Sequence, residues 1–157
     1  MSDPDGPVLP PATPTVRRLR IVVVTAVLVI GAALLAGFLL HANHADRART
    51  IRAQIQQGIA TADGVRMAVA SYRVRNGGAW PYNNVQAGLL SLSAVNGKYV
   101  ENTHIEDGRI IITLGGDIER SVRGKHIVLT PYLQGALVLW HCGSNDIAMD
   151  LLPASCR

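Results

Sequence analysis

The sequence is poor in cysteine, with only Cys142 and Cys156 among its 157 residues. Both lie near the C-terminus, and no cluster of histidine or carboxylate ligands accompanies them. This argues against a structural metal site and favours a disulfide, provided that the domain lies in an oxidising compartment. The chain is also too short for more than one small domain beyond its apolar segment.

Familiar catalytic motifs are missing as well. The sequence contains no G-x-S-x-G, no H-E-x-x-H, and no Walker or Rossmann glycine pattern. Histidines, carboxylates and serines that could be combined into a triad do occur, but any sequence of this length offers such combinations: His104, His126, His141, Asp117, Asp146, Asp150, Ser121 and Ser144. We therefore expect no enzyme, no catalytic residue, no cofactor and no metal.

Charge is missing from the stretch Ile21–Leu40, which reads IVVVTAVLVIGAALLAGFLL. A helix of this length spans roughly 30 Å, the thickness of a bilayer core. A cleaved signal peptide is usually shorter and ends in an A-x-A site, which is absent here. A core helix this apolar needs a larger protein around it. The stretch predicts a retained membrane span in contact with lipid.

The orientation of the span depends on the residues that flank it. Three arginines precede it and three follow it closely, so the positive-inside rule is nearly balanced: Arg17, Arg18, Arg20, Arg47, Arg49 and Arg52. The cysteine pair decides, because a disulfide requires an oxidising compartment. We expect a single-pass protein of a bacterial inner membrane with a cytoplasmic N-terminus and a periplasmic C-terminal domain.

The chain divides into three parts. Residues 1–16 hold five of the eight prolines and predict a disordered cytoplasmic tail. Residues 17–45 form the transmembrane helix, and residues 46–157 form a globular head. Within the head, apolar residues recur at steps of three and four over residues 46–76, which predicts an amphipathic helix: Ile51, Ile55, Ile59, Ala62, Val65, Val69 and Tyr72. With no proline between them, span and stripe can form one helix of about 55 residues, bent near Gly58 or Gly64.

The second half of the head predicts a loop and a sheet. Residues 77–98, which we call the αβ-loop, carry turn signals, and Trp80 and Tyr82 are expected to pack this loop on the helix. Four strand-like runs follow within residues 99–142, with Asp107-Gly108 as a hairpin turn and Pro131 closing the third strand. Residues 142–157, the disulfide loop, complete an α+β fold: a long N-terminal helix packed on a four-stranded antiparallel sheet.

Several motifs, in this order, resemble those of the type IV pilins. Residues 62–72, ADGVRMAVASY, look like the helix before the αβ-loop of that family, and residues 78–89, GAWPYNNVQAGL, are similar to its G-x-W-P-x-N-N-x-x-A-G-L. Residues 97–100, 124–131, 140–142 and 152–157 resemble its strands and disulfide-bounded region. The resemblance covers about residues 46–157. It implies a pilin-like protein for adhesion or pilus biology, whose partners are other pilin subunits, pilus assembly proteins or a surface receptor.

The N-terminal part departs from that family. Its members carry a basic leader that is cut after a glycine, followed by phenylalanine and, at the fifth mature position, glutamate. No such site is found here, and Gly37-Phe38 lies at the wrong end of the apolar run. Two versions of the function therefore stay open. The protein joins a pilus as an atypical subunit, or it stays in the inner membrane and contacts pilins or assembly proteins.

Nucleic acid is the alternative partner, because some pilins take part in DNA uptake. The net charge is +4, and five cations near the middle strands form a possible phosphate-binding set: Lys98, Arg109, Arg120, Arg123 and Lys125. We call these five the basic set. Solvated charges balanced by nearby carboxylates are the simpler interpretation.

Overall fold

The structure is a computed structural model that describes residues 14–89 and 96–157, with side chains from residue 22 onward. Most of the expected tail and residues 90–95 of the αβ-loop lie outside the described residues. The chain divides into two units, residues 1–44 and residues 45–157, and each is described by itself.

The first unit contains most of helix α1 (Pro14–Ala60). Its apolar segment is a helix that is long enough and apolar enough to cross a membrane, as expected from the uncharged run. The large apolar side chains between Val22 and Leu40 are 53–70% exposed. Thr25, the polar residue within this run, donates its hydroxyl to the carbonyl of Val22 at 2.9 Å. Every polar group of a membrane helix needs such a partner.

In the second unit, the rest of α1 is followed by helix α2 (Asp63–Arg75). The long N-terminal helix expected from the sequence is confirmed, and a turn at Thr61 and Ala62, between Gly58 and Gly64, separates α1 from α2. The amides of these two residues bond three residues back, to Gly58 and Ile59. The Thr61 hydroxyl also donates to the carbonyl of Gly58 at 2.6 Å, a local bond that competes with the regular helix pattern.

The apolar stripe of both helices faces a four-stranded antiparallel sheet in the order β1-β2-β3-β4. The strands are β1 (Val100–Glu106), β2 (Arg109–Leu114), β3 (His126–Gln134) and β4 (Leu137–Gly143). One hydrophobic core lies between the layers and includes the stripe residues Ile51, Ile55, Ile59, Ala62, Val65 and Val69, which are at most 5% exposed. The α+β fold predicted from the sequence is confirmed.

Strand β3 is longer than predicted. It continues through Pro131 to Gln134, so the expectation that this proline closes the strand is wrong. Strand β2 pairs with β3 only as far as Leu129, which leaves Pro131 beyond the end of its neighbour. Because the nitrogen of Pro131 faces that unoccupied side, no ladder hydrogen bond is lost.

The turns agree with the expectations from the sequence more closely than the end of β3 does. Asp107 and Gly108 have φ angles of 50° and 79°, as a tight two-residue hairpin requires. Helix α2 ends at Arg75, and Gly77, two residues farther along, has the positive φ of 60° that commonly follows a helix end.

Candidate interaction surfaces

The αβ-loop is held to the head by Trp80 and by backbone atoms. The centroid of the Trp80 ring lies 4.2 Å from the guanidinium carbon of Arg73 on α2, and Trp80 also lies against Gly108. A Cβ at Gly108 would lie only 2.9 Å from Cβ of Trp80, so the close contact depends on glycine. Trp80 therefore packs the loop as predicted.

Tyr82 does not pack as predicted, because its side chain is 64% exposed. Its backbone anchors the loop instead. The carbonyl of Tyr82 accepts the amide of Asp107 at 3.3 Å, and its amide donates to Oε1 of Gln86 at 2.7 Å. The aromatic ring itself lies largely exposed on the surface.

Asn84 closes the outer edge of β1. Its side chain is buried at 7% exposure, and Oδ1 accepts the amide of Ile105 at 2.6 Å. Nδ2 donates to the carbonyl of Thr103 at 3.3 Å. The amide group thus takes the place of a neighbouring strand at this point of the edge, where it satisfies the amide of Ile105 and the carbonyl of Thr103. From the sequence alone, Asn84 is predicted only as part of a loop rich in turn signals. The signal that could have revealed this role is its place in the N-N pair of the pilin-like motif.

The disulfide loop is tied down at both of its ends. Cys142 and Cys156 form the disulfide expected from the sequence, with 4.4 Å between their Cα atoms. Farther along this loop, both carboxylate oxygens of Asp146 accept a hydrogen bond from the backbone amide of His126 at 3.1 Å. Oδ2 of Asp146 also lies 2.8 Å from Nδ1 of that histidine. The loop is therefore fixed to the beginning of β3.

Ser144 belongs to the same cluster. Its hydroxyl lies 2.9 Å from Asp146 Oδ1 and 2.7 Å from the carbonyl of His126. Partial burial acts to raise the pKa of Asp146, but the hydrogen bonds from His126 and Ser144 outweigh it and lower that pKa. The serine hydroxyl faces the carboxylate and not the imidazole, so the three groups do not form a catalytic triad.

The other two histidines considered as possible catalytic residues lie on different strands. His104 lies on β1, and His141 is exposed on β4. Within residues 14–89 and 96–157, no group of three or more potential metal ligands comes together.

The structure separates the basic set into two places. Four members lie at one end of the sheet, where the carbonyl of Lys98 accepts the amide of Asp117 and Arg123 donates to the carbonyl of Gly116. Lys125 and Arg120 adjoin this region in sequence. Arg109 begins β2 at the opposite end and is ion-paired to Glu106 at 2.9 Å.

Carboxylates are interspersed among the four clustered cations. Glu119 accepts a hydrogen bond from Arg47 at 2.6 Å, and this bond lowers the pKa of the Glu119 carboxyl. The structure places Lys98, Arg120, Arg123 and Lys125 at one end of the sheet and Arg109 at the other.

Comparison with known proteins now decides the family. The sequence pattern of the family described as pilin, a bacterial filament protein, matches residues 51–157. The chain belongs to the pilin family. The matched region contains the whole sheet, the αβ-loop and the disulfide loop. Pilins are structural subunits of pili, and this chain is accordingly a pilin and not an enzyme.

Individual pilins are similar over much of the chain. The type IV major pilin protein PilE of Neisseria gonorrhoeae is 32% identical over 128 residues, which cover 69% of this chain and 76% of the relative. A fimbrial protein of Neisseria meningitidis serogroup A is 35% identical over 104 residues, which cover 63% of this chain and 61% of the relative. Together with the apolar segment of α1, this similarity identifies a membrane-anchored or pilus-associated pilin.

Proposed function

We propose that this pilin is a pilus subunit whose apolar helix segment is held by lipid before assembly and by the helices of other pilins in the fibre. The proposal is supported by one observation above all. Large apolar side chains are exposed all along Val22–Leu40, whereas the head, taken by itself, has its own hydrophobic core. An apolar surface of this size requires a covering partner. Lipid and neighbouring apolar helices are the two partners that fit.

The proposal includes the orientation expected from the sequence. The head lies on the periplasmic side of the bacterial inner membrane and the N-terminus in the cytoplasm, because a disulfide forms in an oxidising compartment. From that side the head can join a fibre and be displayed at the surface. Adhesion to a receptor would then involve exposed parts of the head.

Fractionation of the native protein tests the proposal. Sheared surface fibres and membranes are collected separately, and the chain is identified in each by intact mass. A pilus subunit is expected in both fractions. A chain found only in membranes would contradict fibre assembly and would favour the second version, a tethered partner of pilins or assembly proteins.

A matched pair of variants makes this test specific for the helix. Val29→Asp places a carboxylate in the middle of the apolar segment, where an unpaired charge costs about 3 kcal/mol or more. It is expected to lose both membrane retention and fibre assembly. Tyr132→Asp, at an exposed position of the head, is the control and is expected to retain both.

DNA binding is a second candidate, favoured by the four clustered members of the basic set. A full-length protein in detergent is titrated with a short DNA duplex at about 50 and 200 mM salt, where phosphate contacts produce a steep loss of affinity. Arg120→Gln combined with Arg123→Gln is expected to lower the salt slope by about one for each lost contact. Arg109→Gln is the control, since Arg109 lies at the opposite end of the sheet. Equal slopes in all three proteins would exclude this site.

A further inference from the structure

The sheet has two edges, and only one of them is closed within the described residues. Asn84 covers the edge of β1, as described above. Strand β4 is the other edge. Along β4, residues whose backbone groups bond to β3 alternate with residues whose backbone groups point away from the sheet. The register of the strands shows which residues belong to each set.

The amide of Leu114 donates to the carbonyl of Lys125 at 2.8 Å, immediately before β3. In an antiparallel ladder, alternate residues point to the same side, so Ile127 and Leu129 also point toward β2. The β3 residues between them therefore point toward β4. It follows that Val138 and Trp140, which pair with Leu133 and Pro131, point their own amides and carbonyls outward: these are the free groups of the β4 edge.

Nothing in the described part of the chain pairs with these groups. No backbone or side-chain hydrogen bond reaches the amide or carbonyl of Val138 or Trp140 from residues 14–89 or 96–157. Unpaired backbone groups on an edge strand are a template for another strand.

Beside this edge runs a groove, which we call the β4 groove, between helix α2 and the β3–β4 hairpin. Two cavities of about 570 Å³ and 420 Å³ share Ala70 and Val138 and so form one continuous depression. On the helix side, Met67, Ala70 and Val74 follow one stripe at helical spacing. Met67 and Val74 are 68% and 81% exposed, whereas the small Ala70 leaves room between them.

The charged residues of the groove are mainly positive. Arg66 and Arg75 line it at different turns of the helix, and the one carboxylate in the lining, Asp63, is already ion-paired to Arg66. Nε of Arg66 is buried without a hydrogen-bond partner. Arg75 has no carboxylate partner among the described residues. An occupant that supplies a carboxylate would complement Arg75.

We propose that the β4 groove binds an extended peptide segment of a partner protein, which adds a fifth strand to the sheet. The segment pairs its backbone with Val138 and Trp140. Its alternate side chains are apolar and face Met67 and Val74, and it carries a carboxylate toward Arg75. A second copy of this chain, paired through its own β4, fits less well. It would bring another arginine-lined groove close to the first without supplying a free carboxylate.

The test uses the full-length protein in detergent and one defined probe. This is a fluorescein-labelled peptide in which valine alternates with threonine and glutamate. Saturable binding, measured by fluorescence polarisation, is expected. A matched peptide that is N-methylated on the residues facing β4 cannot donate to the edge and is expected to bind at least about tenfold more weakly.

Val138→Pro is the decisive protein variant. Because the amide of Val138 points away from β3, proline leaves the internal ladder intact while it removes the outward donor. Binding is expected to fall by about tenfold or more with little change in thermal unfolding. If this variant fails to fold, Arg75→Glu on the exposed surface of α2 tests the groove through its charge instead and is expected to weaken peptide binding. Arg109→Glu is its charge-matched control and is expected to bind as the wild type does.

Two results would overturn the proposal. One is the absence of saturable binding up to about 1 mM peptide, or equal binding by the N-methylated peptide. The other is a dimer of the full chain that Val138→Pro dissociates while the peptide does not bind, because the edge would then belong to a second copy. Neither result depends on pilus assembly, so the proposed function is tested separately.

Discussion

Asn84 and Ile105 form the contact that joins the αβ-loop to the sheet, with Oδ1 of the asparagine 2.6 Å from the amide nitrogen of the isoleucine. The two residues are 21 positions apart, and both are buried. A side-chain amide here replaces the strand that would otherwise cover the edge of β1. The opposite edge, on β4, has no such cover in the described part of the chain, and this difference makes β4 the candidate for strand addition.

The first prediction concerns this contact. Asn84→Ala leaves the Ile105 amide buried without its acceptor, which costs about 1–3 kcal/mol. We expect a lower free energy of unfolding for the full chain in detergent, measured by denaturant titration. Asn83→Ala is the control, because Asn83 is exposed and its side chain bonds only within the loop, to the amide of Gln86. Equal effects of the two substitutions would show that Asn84 has no special role at the edge.

The second prediction separates the two aromatic residues of the αβ-loop. Trp80→Ala removes the contacts with Arg73 and Gly108 and is expected to lower the free energy of unfolding by about 2 kcal/mol, less than for a fully buried tryptophan. Tyr82→Ala is expected to change it by less than about 0.5 kcal/mol, since its ring is exposed and its backbone bonds persist. Thermal unfolding of both variants would check this difference, and a larger effect of Tyr82→Ala would contradict it.

The third prediction compares two helical glycines. A Cβ at Gly58 would lie 3.2 Å from Cγ2 of Val100, whereas a Cβ at Gly64 would meet nothing within 4 Å. Gly58→Leu is therefore expected to destabilise the head by about 1–3 kcal/mol through overpacking. Gly64→Leu is expected to be neutral or stabilising by up to about 1 kcal/mol, because leucine is the better helix former. Changes of the same sign and size would show that α1 does not approach β1 closely at Gly58.

The fourth prediction follows from the lowered pKa of Asp146. A carboxyl whose pKa is lower in the folded state stabilises the fold above its unfolded pKa, and this contribution is lost as the pH falls through the folded pKa. Asp146→Asn should therefore cost stability at pH 7, by about 1 kcal/mol given the partial exposure of the pair. The difference from the wild type should shrink at strongly acidic pH.

Denaturant titrations at neutral and acidic pH would test this dependence on Asp146. Asp150→Asn, at an exposed position in the same disulfide loop, is the matched control and should show no comparable loss at neutral pH. A cost of Asp146→Asn that stays constant with pH would show that the carboxylate charge does not contribute.

The sequence by itself determined the features that depend on local chemistry. An uncharged apolar run has no stable alternative to a helix in lipid, and Asp107-Gly108 fits the positive φ angles of a two-residue hairpin. The spacing of Ile51, Ile55 and Ile59 similarly determined which helix face is buried. The order of the strands followed from the short turns between them. The position of both cysteines near the C-terminus pointed to the disulfide.

Only the tertiary structure decided features that depend on neighbours distant in the sequence. Strand β3 passes through Pro131 because β2 has already ended beside it, which no local signal reveals. Arg109 is separated from the rest of the basic set because strand direction places it at the other end of the sheet. The closed edge at Asn84 and the open edge at Val138 likewise arise from long-range packing. Backbone pairing across a sheet is non-local, so the free and satisfied hydrogen-bonding groups become known only when the strands are assembled.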